Sequence, residues 1–123
     1  MKKFICILGL FLCACAPKAE TPVGKNFVLI QPTQPMPITL TLDADGRFYG
    51  KAVNNYFGVY QINENQIQMD LQGQTMMMGP IPQMQAEDDF FKSLREIKSF
   101  DFKNNQLILN ANTPYTFEVS NTN

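Results

Sequence analysis

The 123-residue chain contains no histidine and no tryptophan. Without histidine a Ser/His/Asp relay cannot be built, and the commonest imidazole ligand for zinc or copper is missing. Cysteine is scarce and unevenly placed, because Cys6, Cys13 and Cys15 are the only three. Everything after Cys15 lacks a thiol, so no disulfide is expected to hold the domain. Long apolar runs are missing as well. The one from Phe4 to about Leu12 falls far short of the roughly twenty residues that a bilayer-spanning helix needs. Positive charge is not in excess, with 10 basic against 11 acidic side chains, and no basic patch argues for nucleic acid.

What is present begins with a targeting pattern. "MKKFICILGLFLCACAPK" opens on Lys2 and Lys3, stays apolar to Leu12 and closes on the small residues Ala14 and Ala16, the layout of a secretory signal peptide. Within it, "LCAC" (Leu12 to Cys15) resembles the lipobox of bacterial lipoproteins, in which a cysteine that follows a small residue is acylated. Cys15, preceded by Ala14, is the expected lipidation site; Cys13 competes less well because bulky Leu12 stands before it. An ordinary secreted protein with a cysteine near its cleavage site is the alternative. The expected organisation is a lipoprotein signal peptide over residues 1–14, a lipidated tether over 15–25 and one domain over 26–120. Losing Lys2 and Lys3 with the leader leaves eight basic residues against 11 acidic, a mature net charge of −3. Several acyl chains such as palmitate, at about 0.8 kcal/mol per buried methylene, would make the anchor stable. Ala16 in place of an aspartate after Cys15 resembles lipoproteins sent to the outer membrane, where the domain would face the periplasm.

The tether, with two prolines, one glycine and charges but no periodicity, gives way at Asn26 to short apolar runs broken by turn residues. "FVLIQ" (Phe27 to Gln31) reads as a first strand, and "PTQPMP" (Pro32 to Pro37) as a loop that cannot enter a sheet interior. Alternation of apolar and polar residues on both sides of Asp43 to Gly46 predicts a hairpin. The same pattern predicts hairpins around Asn63 to Asn65 and around Asn104 and Asn105, the latter pair suiting positive φ. Tyr115 to Ser120 reads as a last strand. Seven or eight antiparallel strands in a meander are implied, with one helix between Pro82 and Ser99. On that helix Phe90, Phe91, Leu94 and Ile97 share a face. Glu87, Asp88 and Asp89 are expected near its N-terminus, with Lys92, Arg95 and Lys98 later, the order the helix dipole favours.

Three spaced motifs along this scaffold carry a family resemblance. "VNNYFGVY" matches at Asn54, Tyr56, Gly58 and Tyr60; "TMMMGP" matches at Thr75, Met77 and Pro80; and an acidic position in "EDDFFKSL" falls on Glu87. With "NQLILN" downstream, the order resembles the META domain of the HslJ-like heat-shock lipoproteins over nearly the whole mature domain. The resemblance implies an α+β fold, a curved antiparallel sheet like a partly open barrel with one packed helix. Two family cysteines are replaced here, by Val53 in the first motif and Gly79 in the second. If those positions are close in space, losing both leaves no orphan thiol, consistent with a branch that has no disulfide.

Met76, Met77, Met78 and Met84 form a dense cluster of thioethers. Soft sulfur is a candidate ligand for copper(I). On a strand, though, Met77 would point away from Met76 and Met78, so three in a row cannot converge. Core packing between sheet and helix is the expectation for most of these residues, with a partly exposed apolar groove as the alternative. "DADG" (Asp43 to Gly46) lacks the later acidic ligands of a calcium loop. The Glu87 to Asp89 run has neither nucleophile nor metal partner to make it an acid–base pair. No cofactor, metal or catalytic residue is expected. Asn54, Asn55 and Gly58 read most simply as turn residues.

The functional expectation is therefore a membrane-anchored, non-enzymatic lipoprotein that binds another envelope component and, as the resemblance implies, supports outer-membrane integrity or stress tolerance. The runner-up is a carrier or chaperone that takes an acyl chain or hydrophobic peptide, by analogy with secretin pilotins. Asn54, Tyr56, Met76, Met78, Met84 and Phe90 are the candidate partner or ligand surface for either.

Overall fold

The computed structural model describes residues 20–120; the expected signal peptide, Cys15 and the first part of the expected tether, to residue 19, lie outside the described residues. Eight strands pair in chain order: β1 (Lys25–Gln31), β2 (Thr39–Leu42), β3 (Arg47–Lys51), β4 (Asn55–Asn63), β5 (Gln66–Gln74), β6 (Ser99–Lys103), β7 (Gln106–Asn110) and β8 (Tyr115–Val119). β8 returns to pair with β1, which closes the antiparallel sheet into a barrel. The thinnest seam lies between β5 and β6, registered at Gln66 and Ser99 alone. The single described helix, α1 (Ile81–Glu96), is inserted in the chain at that seam.

The period-two pattern does what it should. Phe27, Leu40, Leu42, Phe48, Tyr56, Tyr60, Leu107, Leu109 and Phe117 point inward and are buried, while their neighbours on each strand face solvent. Both asparagines of the β6–β7 turn adopt positive φ, as expected, whereas Glu64 carries it in the β4–β5 turn. Gly58 is not a turn residue. It lies inside β4 opposite Phe48, whose ring fills the space of its missing side chain: a Cβ there would sit 2.6 Å from the ring and 2.0 Å from the Asp70 carbonyl oxygen. Gly50 makes room for Tyr56 in the same way across the same pair of strands.

The helix closes the interior. Phe90 stacks against Tyr56 of β4 at 5.7 Å between ring centroids and against Tyr115 of β8 at 5.2 Å, and Phe91 reaches Tyr56 at 5.3 Å. Strands β4 and β8 are four places apart in a ring of eight, so Phe90 plugs the barrel between opposite walls. Such aromatic contacts add about 0.5–1.5 kcal/mol per pair beyond area burial. Charge contributes little by comparison, since the described ion pair, Arg47 with Asp45, is exposed. The helix starts one residue before Pro82, at Ile81, so Glu87 to Asp89 fall beyond the first turn and do not meet the N-terminal dipole. Arg95 does lie in the last turn.

Strand direction separates two ends. The start of β1 lies with the Asp43–Gly46 and Glu64–Asn65 turns at one end, through Lys25 paired with Leu42 and the Tyr60 amide donating to Gly46. Residues 52–54 and 75–80 meet at the other end, where Gln74 pairs with Tyr56. The nine residues of β5 put about 25 Å between these ends.

Two tyrosines link this architecture to pH. Burial pushes the Tyr56 phenol well above its ordinary value, and burial, then Asp43 and Asp45, raise Tyr60. A folded-state pKa above the unfolded one contributes stability that is complete below the unfolded value and is lost as pH rises. The domain should therefore hold its stability up to about pH 10 and lose it above. Urea titrations at rising pH, with tyrosinate absorbance as a second probe, check this; ionisation of all tyrosines without unfolding would contradict it.

Candidate functional site

The motif residues converge on one buried carboxamide. Asn54, in the β3–β4 turn, and Glu87, on the inner face of α1, are each 1% exposed, the two buried polar side chains among the described residues. The Asn54 amide N–H donates to Glu87 Oε2 at 2.6 Å, and its Nδ2 donates to Glu87 Oε1 at 2.9 Å. The second Nδ2 proton goes to the Met77 carbonyl at 3.2 Å. Its Oδ1 accepts from Thr75 Oγ1 at 2.9 Å and from the Met77 amide. The side chain thus makes all four hydrogen bonds its amide allows. Thr75 is also doubly used, because its hydroxyl accepts from the Asn55 amide at 3.1 Å. Three segments far apart in sequence, the first motif, the second motif and the helix, are held together by one side chain.

The other motif positions have equally definite structural work. Tyr56 donates its phenolic proton to the Thr39 carbonyl and Tyr60 to the Asp43 carbonyl, tying β4 to both ends of β2. Val53 and Gly79 are neighbours: a Cβ built on Gly79 would lie 3.2 Å from Val53 Cγ1. The condition set by the sequence is met, and an apolar contact stands where the family pattern has two cysteines.

The six candidate surface residues separate into two groups. Asn54, Tyr56 and Phe90 are buried, so they present no surface to a partner; they hold the fold. Met84 is half-buried against Gly79. Met76 and Met78 are exposed, at 86% and 88%. The expectation of core packing therefore fails for the triplet; the methionine that is enclosed in the barrel is Met69, 4% exposed. The physical reason is that β5 ends at Gln74, so Met76 to Met78 form an irregular loop and strand alternation does not apply. Asn54 binds Met77 through its backbone, leaving the side chains on either side free to project. The Gly79-Pro80 pair directly after the triplet was the signal in the sequence that a strand could not continue. With Ile81, 82% exposed, the triplet makes an apolar tip at the barrel end opposite the start of β1.

Open clefts elsewhere mix polar and apolar lining, with Ile62, Ile67 and Ile97 among the residues of one and Val28, Leu29, Ile30 and Met36 among those of another. The first, of about 600 Å³ beside the β4–β5 hairpin, is also bordered by Gln61, Asn63, Gln66 and Gln68 with Arg95 and Lys98. None of the barrel's aromatic side chains lines it. No group of three or more acidic or cysteine side chains among the described residues is arranged to hold a metal ion.

A closed eight-stranded barrel plugged by one helix and pinned by an Asn–Thr–Glu cluster defines a structural class, and comparison with known proteins places the chain within it. The META domain family model matches residues 24–122, and the chain belongs to that family. Its fold is similar to that of a protein from Burkholderia xenovorans solved by NMR, at 23% identity and a TM-score of 0.66, over 87% of this chain and 93% of that one. It is also similar to a DUF4847 family protein from Bacteroides vulgatus, at 18% identity and a TM-score of 0.57, over 70% of this chain and 61% of that one. A further NMR structure matches with a TM-score of 0.64 at 18% identity, over 82% of this chain and 96% of that one. No curated protein matches the chain.

Two predictions test the cluster. Glu87→Gln replaces one of two acceptors with a donor that faces an Asn54 N–H, and should cost about 1–3 kcal/mol of stability with an unchanged urea m-value. Val53→Cys with Gly79→Cys should form a disulfide in oxidising buffer, given the 3.2 Å approach. Closing a loop of this length should add roughly 3 kcal/mol relative to the reduced form. Failure to oxidise on air exposure would show that the two positions are not in contact.

Proposed function

We propose that this META-domain protein is a lipid-anchored, non-enzymatic component of the bacterial envelope. It is held in the outer membrane through acylated Cys15 and binds the apolar surface of another envelope protein with its methionine tip, in support of outer-membrane integrity or stress tolerance. The observation that carries this reading is the exposure of Met76, Met78 and Ile81 on a loop whose backbone is fixed by Asn54. A contiguous exposed apolar tip on a folded domain is a mark of interaction surfaces, and methionine suits adaptable ones. The tip lies at the end away from the tether, so an anchored domain would present it to the periplasm rather than to its own membrane. The buried polar residues support a non-enzymatic role, since Asn54, Thr75 and Glu87 spend their hydrogen bonds on one another. No helix among the described residues is long and apolar enough to cross a membrane, so anchoring in this reading falls to the lipid.

The filled interior counts against the carrier alternative. Phe90 occupies the place an acyl chain would need, and it is 0% exposed.

In cells, a photo-crosslinking residue at position 78 should trap one discrete envelope protein, whereas the same residue at position 61 on the barrel wall should not. Cys15→Ser should abolish incorporation of a palmitate analogue and release the protein from membranes. Adducts limited to abundant bystanders, or unchanged membrane association of the Cys15→Ser protein, would remove support for this reading.

A further inference from the structure

We infer that Met76 and Met78 are sites of methionine sulfoxidation, at which a peroxide or hypochlorous acid turns the apolar tip polar while the barrel stays folded. The modification follows from the structure of this chain alone; only its consequence, weakened docking, rests on the function proposed above.

Exposure sets the selectivity. Met76 and Met78 are open to solvent on every side, Met77 is 48% exposed, Met36 and Met84 are half-buried, and Met69 is enclosed at 4%. In the reaction, a sulfur lone pair attacks one oxygen of hydrogen peroxide. The O–O bond breaks as the S–O bond forms, and water leaves. Sulfur is oxidised by two electrons and the peroxide is reduced by two. No protein base or metal is required, so access alone determines which thioether reacts. A thiol-dependent sulfoxide reductase reverses the change, oxidising a dithiol to a disulfide and releasing the oxygen as water.

The fold tolerates this because no thioether of the triplet supports it. The loop is pinned through the backbone of Met77, by a carboxamide and a hydroxyl that peroxide does not attack. Oxidation of Met69 would be different, since a polar sulfoxide inside the barrel would lack partners.

The test uses the full-length protein in detergent, treated with hydrogen peroxide and followed by peptide mass spectrometry and thermal melting. Met76 and Met78 should oxidise at least about tenfold faster than Met69, with the melting temperature unchanged when both have reacted. Replacing both with leucine should remove the fast phase and leave the melting temperature unaltered. Equal rates at Met69, a fast phase that survives in the leucine variant, or a melting temperature that falls as Met76 and Met78 react would overturn the inference. None of these readouts involves a partner, so their failure is distinct from a failure of cellular cross-linking.

Discussion

The rest of the structure depends on a carboxamide with every valence filled. Asn54 sits just past the end of β3, where the loop after β5 and the inner face of α1 come within reach, and it bonds to both. A buried amide short of partners would cost stability, and a buried carboxylate short of donors would cost more. Together, Asn54 and Glu87 satisfy each other, so the helix is registered against the sheet by hydrogen bonds with direction as well as by packing, which has none. That register places Phe90 between opposite walls.

Barrel closure follows from a second constraint, the exchange of volume between glycine and aromatic residues. Gly58 accepts the ring of Phe48 and Gly50 the phenol of Tyr56, both across β3 and β4. Large residues opposite absent ones let these strands curve tightly without overfilling the centre, where the helix must also fit. The consequence for function is a filled interior. The outer surface carries its apolar groups in more than one place: Tyr49, Phe57 and Val59 are exposed on β3 and β4, and the methionine tip is the part that projects from a loop pinned through its backbone.

Much of this was legible beforehand. Alternation around Asp43–Gly46, Asn63–Asn65 and Asn104–Asn105 located the hairpins because half-buried strands impose a period of two on apolar residues. Phe90, Phe91 and Leu94 marked the packed helix face for the corresponding reason, while Ile97, expected on the same face, is buried just past the helix end in extended backbone. The motif residues of the META family were recognisable too, though as signatures and not as partners. Three readings failed together, on Gly58, on Glu87 and on the methionine triplet. Each assumed a local cause, a turn, a helix dipole or a strand, for a residue whose environment is set by contacts distant in sequence.

Sequence by itself determined the order and kind of elements, the family, and the absence of thiols and histidine from the domain, since these depend on residue type and short-range periodicity. Tertiary structure alone decided that Asn54 is a hub, that Val53 touches Gly79 and that Met76 and Met78 face water. Those outcomes hinge on where β5 stops and how the helix is registered. Both are fixed by side chains more than twenty positions apart, a separation across which periodicity carries no information.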